Sequence, residues 1–157
     1  MNSQSDTSLQ NFLKKMEYYC SYQERCHVEV EQKMYQLAVP RNFHDTIIVH
    51  LIEHNFLNEE RFAALFTISK FHQKSWGKNR IVNELKARHI STYLIQKSIQ
   101  QLSDEEYRNT FLTLAEKTWA SLIEKNKLKK QKKFCDTLLR KGWESDLVYE
   151  QAKLYSN

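Results

Sequence analysis

Ile81-Val82-Asn83-Glu84-Leu85-Lys86-Ala87-Arg88-His89-Ile90-Ser91-Thr92-Tyr93-Leu94-Ile95-Gln96-Lys97-Ser98-Ile99-Gln100-Gln101-Leu102 is the stretch on which the fold turns. Ile81, Leu85, Ile90, Leu94, Ile99 and Leu102 stand at offsets of 0, 4, 9, 13, 18 and 21. The same offsets select Val30, Met34, Val39, Phe43, Ile48 and Leu51 before it, and Phe134, Leu138, Trp143, Leu147, Ala152 and Tyr155 after it. All eighteen positions are apolar in a chain that is 41% hydrophobic, which is more than chance supplies. The sequence is therefore an internal repeat of about 51 to 53 residues.

Each unit reads as three helices. An offset of 4 keeps two residues on one helical face, the following 5 steps over a turn, and a second helix follows with its own stripe. Asn42 with Asp45, Ser91 or Thr92, and Ser145 are the expected N-caps of the third helices. First helices are expected over 12–22, 59–73 and 104–125, with Asn58 capping the second and Ser103-Asp104-Glu105-Glu106 forming a capping box for the last. Gly142 fits the left-handed position past a helix end; its equivalents are Ala38 and His89, where a side chain makes that conformation less easy. The predicted organisation is a disordered lead-in over 1–11 and units over 12–57, 58–103 and 104–157, the last of them basic, stacked into an elongated, curved all-α array.

Composition agrees. Two glycines and one proline are too few for turn-rich sheets, and no two glycines lie close enough for a phosphate loop. The N-terminus lacks the basic and apolar regions of a signal peptide, and no apolar run approaches the ~20 residues of a membrane span. Cys20, Cys26 and Cys135 form an odd, unpatterned set, read as reduced thiols in a cytoplasmic protein. Charge is uneven: residues 1–69 carry 6 Lys/Arg against 9 Asp/Glu, and residues 70–157 carry 18 against 10. A basic C-terminal half points to a polyanion or an acidic protein surface.

Three stretches resemble the RecX family, regulators of the RecA recombinase. Cys26-His27-Val28-Glu29-Val30-Glu31-Gln32-Lys33-Met34 is similar to the family's first-unit pattern. Leu57-Asn58-Glu59-Glu60-Arg61-Phe62-Ala63 resembles its [LI]-[DN]-[DE]-x-R-[FY]-A signature, and Gly77-Lys78-Asn79-Arg80-Ile81-Val82-Asn83-Glu84-Leu85 its G-x-x-[RK]-[IL]-x-x-E-L stretch. The likeness spans about residues 15–155, is strongest in the second unit, and departs at His89, where the family has glycine. The resemblance implies a cytoplasmic, non-enzymatic monomer that lodges in the helical groove of a RecA–single-stranded DNA filament. There it limits ATP hydrolysis, filament extension and strand exchange.

Two basic sets are candidate contacts for RecA or for single- or double-stranded DNA. Lys125, Lys127, Lys129, Lys130, Lys132 and Lys133 lie in a run without an acid, so their repulsion is unrelieved locally. Lys74, Lys78, Arg80, Lys86 and Arg88 form the second set, with Glu84 expected to pair with Arg80. The plain alternative for each is a solvated polar face. Trp76 is read as packing rather than stacking on a base, and Gly77 as backbone freedom at a helix start. Arg61, Phe62, Ala63, Gly77, Ile81, Glu84 and Leu85 are read as structural motif residues, with Arg61 bonding between units. His50 and His54 share a face at i, i+4, but no third ligand stands at a metal-binding spacing, and no catalytic set or cofactor motif is visible. The rival reading is a general nucleic-acid-binding helical module that competes for DNA.

Overall fold

In the computed structural model, which describes residues 3–157, nine α-helices follow one another and no strand occurs among the described residues. They are α1 (Ser3–Tyr22), α2 (His27–Gln36), α3 (His44–Glu53), α4 (Glu59–Lys74), α5 (Lys78–Ala87), α6 (Thr92–Ile99), α7 (Asp104–Ser121), α8 (Lys127–Arg140) and α9 (Ser145–Ser156). A 3-10 turn over Arg41–Phe43 leads into α3. The closest helix packing falls within the triplets α1–α3, α4–α6 and α7–α9.

The repeat spacing has a local cause. Ala38, His89 and Gly142 all adopt positive φ, at 55°, 58° and 99°. Beyond each, an amide reaches back to a carbonyl in the last helical turn: Val39 to Met34 at 2.9 Å, Ile90 to Leu85 at 3.1 Å and Trp143 to Leu138 at 3.2 Å. These are three Schellman turns, in which the residue after the left-handed position packs on the residue whose carbonyl it caps. Offsets 4 and 9 are that apolar pair. Ala38 and His89 thus keep the glycine geometry at the cost of a strained backbone, about 1 kcal/mol each.

None of the eighteen repeat positions is exposed. A further buried third-helix position, which the offsets omit, is occupied by His44, Ile95 and Val148. His44 is polar there, and its Nε2 lies 3.0 Å from the carbonyl oxygen of Val39, so the buried ring keeps a partner.

The units do not form three equal cores. Leu13, Met16, Val30, Met34, Ile47, Leu51 and their neighbours make one cluster within α1–α3. The second cluster runs without a break through α4–α9, from Phe62 and Phe71 to Trp143 and Val148, and takes in Cys26 from the start of α2.

Local expectations are met unevenly. Asn58, Ser91 and Ser103 cap α4, α6 and α7 by accepting the amides of Arg61, Leu94 and Glu106. The Glu106 carboxylate turns instead to His72, 2.8 Å away. Helix α3 starts after Phe43 and α9 after Glu144, so neither Asn42 nor Ser145 is the cap. Helix α1 begins at Ser3 rather than near residue 12, because Leu9, Phe12, Leu13 and Met16 extend one apolar stripe onto the core. Most of the expected disordered lead-in is therefore helix; Met1 and Asn2 lie outside the described residues.

Candidate functional site

The junction between the second and third triplets is built from backbone. Gly77 is the N-cap of α5 in extended conformation, φ −78° and ψ 169°. Its N–H donates to the carbonyl of Lys141 at 2.9 Å, and Asn79 N–H donates to that of Gly142 at 3.0 Å. A Cβ on Gly77 would stand 2.4 Å from the Gly142 oxygen, and one on Gly142 would stand 2.3 Å from Arg80 Cβ. Gly77 is therefore required for close approach between segments, not for backbone freedom at a helix start.

Aromatic rings fill the space behind this contact. Tyr107 lies 4.6 Å from Trp143 between ring centres, and Trp143 lies 5.3 Å from Phe111. Trp143 Nε1 donates to Ser75 O at 3.0 Å. The Tyr107 hydroxyl accepts the Lys78 amide at 2.9 Å and donates to Glu144 at 2.7 Å. Burial above all, opposed by the Lys78 amide and helped by the Glu144 carboxylate, holds the phenol well above the usual tyrosine range, so it stays a neutral donor.

Around this junction the structure gathers cations. Lys141 Nζ donates to Lys74 O at 3.1 Å, and Arg80 donates to Arg140 O at 3.3 Å. The Arg80 guanidinium sits 4.2 Å over Trp76 and Lys78 4.5 Å over Tyr107. Lys70 covers the same Trp76 ring from 5.1 Å. Trp76 is half-buried and packed on the core, with Phe66 beside it. Arg140, Lys141 and Lys70 stand outside the two basic sets that the sequence marks. The Trp76-Gly77 and Gly142-Trp143 pairs, one ending and one beginning in tryptophan, were the available sign that these segments meet.

Glu84 pairs with Arg88 at 2.9 Å rather than with Arg80. Arg88 also lies 4.9 Å over Phe66, so it is tied down, whereas Lys74 and Lys86 are exposed without an acidic partner among the described residues. The lysine run is relieved by residues flanking it: Lys132 meets Asp136 at 2.8 Å and Lys133 meets Glu124 at 2.9 Å. Lys130 rests 4.4 Å over Trp119. Lys125, Lys127 and Lys129 are exposed, with no acidic partner among the described residues, in or beside the first turn of α8, where cations oppose the helix dipole. The two basic sets do not merge: Lys74 and Arg80 meet the C-terminal end of α8 at Lys141 and Arg140, whereas Lys125, Lys127 and Lys129 lie in or beside its first turn, about 15–20 Å away along the helix at 1.5 Å per residue.

The motif residues of α4 stand at the other junction. Arg61 reaches Glu24 at 2.5 Å, Asn55 Oδ1 at 3.1 Å and Asn55 O at 3.0 Å. Glu59 accepts the His27 amide at 3.2 Å, at the start of α2. Phe62, Ala63, Ile81 and Leu85 are buried in the shared core.

Among the described residues no group of three or more His, Cys, Asp or Glu side chains converges as a metal site. His50 stacks on His54 at 4.2 Å and meets Glu17 at 3.2 Å. Burial pushes the Cys20 and Cys26 thiols up to about 11, which keeps them protonated and poorly nucleophilic at neutral pH. No described helix is long and apolar enough to cross a membrane.

The family model for the second three-helix domain of RecX matches residues 58–99. The regulatory protein RecX of Bacillus cytotoxicus is 26% identical over 130 residues, which cover 83% of this chain and 48% of that protein. The Bacillus cereus protein of the same name is 25% identical over an equal span. The chain thus spans about half the length of the curated relatives it matches. A crystal structure of regulatory protein RecX has the same fold, with a TM-score of 0.82 and 20% identity over 98% of this chain and 79% of that one. RecX from Lactobacillus salivarius gives 0.78 and 23%, over 95% and 97% of the two chains. Motif residues, matched domain and helical arrangement agree: all three resemble the RecX family.

Proposed function

We propose that this chain is a non-enzymatic, cytoplasmic regulator that binds a RecA–single-stranded DNA filament in its helical groove and inhibits ATP hydrolysis, filament extension and strand exchange. The units are read as 12–57, 58–103 and 104–157. The observation that carries the reading is the fixed junction between α5 and α8. It holds Lys74 at one end of α8 and Lys125, Lys127 and Lys129 at the other, with Lys86 further along α5, on one continuous core. A rigid body with charges at set spacing can engage repeating acidic or phosphate groups across neighbouring protomers, where several weak contacts add through avidity. Inhibition by occupying a groove needs shape and charge and no catalytic set.

The test is ATP hydrolysis by a preformed RecA–single-stranded DNA filament, titrated with this protein up to equal ratio. A slowed rate is expected, with the effect weakened by Lys86→Glu and Lys129→Glu and unchanged by charge reversal at exposed Glu31. An unaltered rate with folded protein and cognate recombinase contradicts the proposal.

A further inference from the structure

A groove of about 580 Å³ on the first triplet lies outside both basic sets, lined by Lys14, Lys15, Tyr18, Tyr22, Arg25 and Lys33 among its walls. Tyr18 and Tyr22 are 72% and 73% exposed, and their i, i+4 spacing puts them on the same face of α1, one turn apart. Large rings held this open are a poor use of aromatic surface unless something stacks on them. Behind them Tyr19 organises the cations: Arg25 lies 3.7 Å over its ring and Lys33 5.3 Å. Arg25 Nε is anchored on the Tyr19 carbonyl at 3.1 Å.

The charge of this groove runs against that of its region, since residues 1–69 carry more acids than bases. The structure shows where the acids go. Glu17 is taken by His50, Glu24 by Arg61, Glu29 by the Cys26 amide and Glu59 by the His27 amide. Among the described residues, Lys14, Lys15, Arg25 and Lys33 have no carboxylate within ion-pair distance. Four cations thus border two open ring faces in a stretch where acids outnumber bases.

We propose that this groove is a binding site for single-stranded nucleic acid, with bases stacked on Tyr18 and Tyr22 and phosphates held by Lys14, Lys15, Arg25 and Lys33. Rings that accept any base, beside cations that follow the backbone, are what unpaired strands require. A duplex hides its base faces and an acidic peptide has none, so neither makes use of the two tyrosines. This site goes beyond the filament reading and does not rest on it.

Anisotropy of a labelled oligothymidylate, titrated with the whole chain, tests it. Neutralising four phosphates of a single strand predicts a loss of affinity of about 50-fold between 50 and 200 mM salt. Tyr18→Ala with Tyr22→Ala should cost about tenfold or more on the oligomer and leave affinity for a duplex of equal length unchanged. Tyr18→Phe with Tyr22→Phe should retain binding, since the ring and not the hydroxyl is used. Equal loss on strand and duplex, no loss on either, or an acidic peptide that displaces the oligomer from wild type and alanine variant alike would overturn the site. Should the alanine variant lose helicity, amide shifts of the wild-type chain with the oligomer decide. Shifts at Tyr18, Tyr22, Arg25 and Lys33 support the groove; shifts confined to Lys125–Lys133 refute it.

Discussion

The two junctions of this array are made from different materials. Between the second and third triplets the contact is backbone on backbone, Gly77 against Gly142, sealed by Tyr107 and Trp143 with no room for another atom. Between the first and second it is side chain to side chain or to backbone, Arg61 to Glu24 and Glu59 to the His27 amide, with the buried Cys26 carrying the apolar contact. A junction of close-packed backbone cannot yield without breaking a core, whereas one of partly exposed polar groups can open at modest cost. The last two triplets therefore act as one body, to which the first is tied more loosely.

Substitutions at the two junctions sharpen that contrast. The largest effect belongs to Gly142→Ala: a Cβ would meet Arg80 Cβ at 2.3 Å on a backbone with φ of 99°, and about 3–5 kcal/mol should be lost in urea denaturation. Tyr107→Phe comes next, at about 2 kcal/mol, because Glu144 and the Lys78 amide each lose a partner. It also alters pH dependence. The folded phenol is raised above the value near 10 it has when unfolded, so its contribution is whole below pH 10 and falls away as pH rises beyond it. Wild type should lose stability between pH 10 and 11.5 more steeply than Tyr107→Phe, as the urea midpoints at each pH would show.

At the looser junction, Arg61→Ala should cost about 1–2 kcal/mol, less than either change above, since its ion pair is partly exposed. A larger loss there than for Gly142→Ala, measured in the same denaturation series, would invert the comparison. The smallest effect distinguishes the equivalent turns: His89→Gly should stabilise by about 0.5–1 kcal/mol, because it removes the strain of a side chain at φ 58°. A melting temperature that falls would mean the His89 side chain makes a contact that outweighs the strain.

The repeat was legible because a Schellman turn forces two apolar residues five apart, and Met34–Val39, Leu85–Ile90 and Leu138–Trp143 all obey it. The caps at Asn58, Ser91 and Ser103 were legible for the same local reason. What escaped depends on contacts remote in sequence. The reason for Gly77 lies 65 residues away at Gly142, and Glu84 chose Arg88 over Arg80 because Arg80 is drawn to Trp76 and the Arg140 carbonyl. The lysine run looked wholly unrelieved because its partners, Glu124 and Asp136, fall just outside it. The merging of two cores into one, and the cations it brings together from α4, α5 and α8, are tertiary facts with only the paired Trp-Gly and Gly-Trp steps to announce them.

Native-state hydrogen exchange puts the central contrast to the most direct test. The Gly77 and Asn79 amides, donated to Lys141 and Gly142, should exchange only with the opening of α5 and α8 and at the same free energy as their core amides. The His27 amide, donated to Glu59, should exchange through a cheaper local opening. Gly77 and Asn79 exchanging as readily as His27 would contradict the claim that the second and third units form a single body.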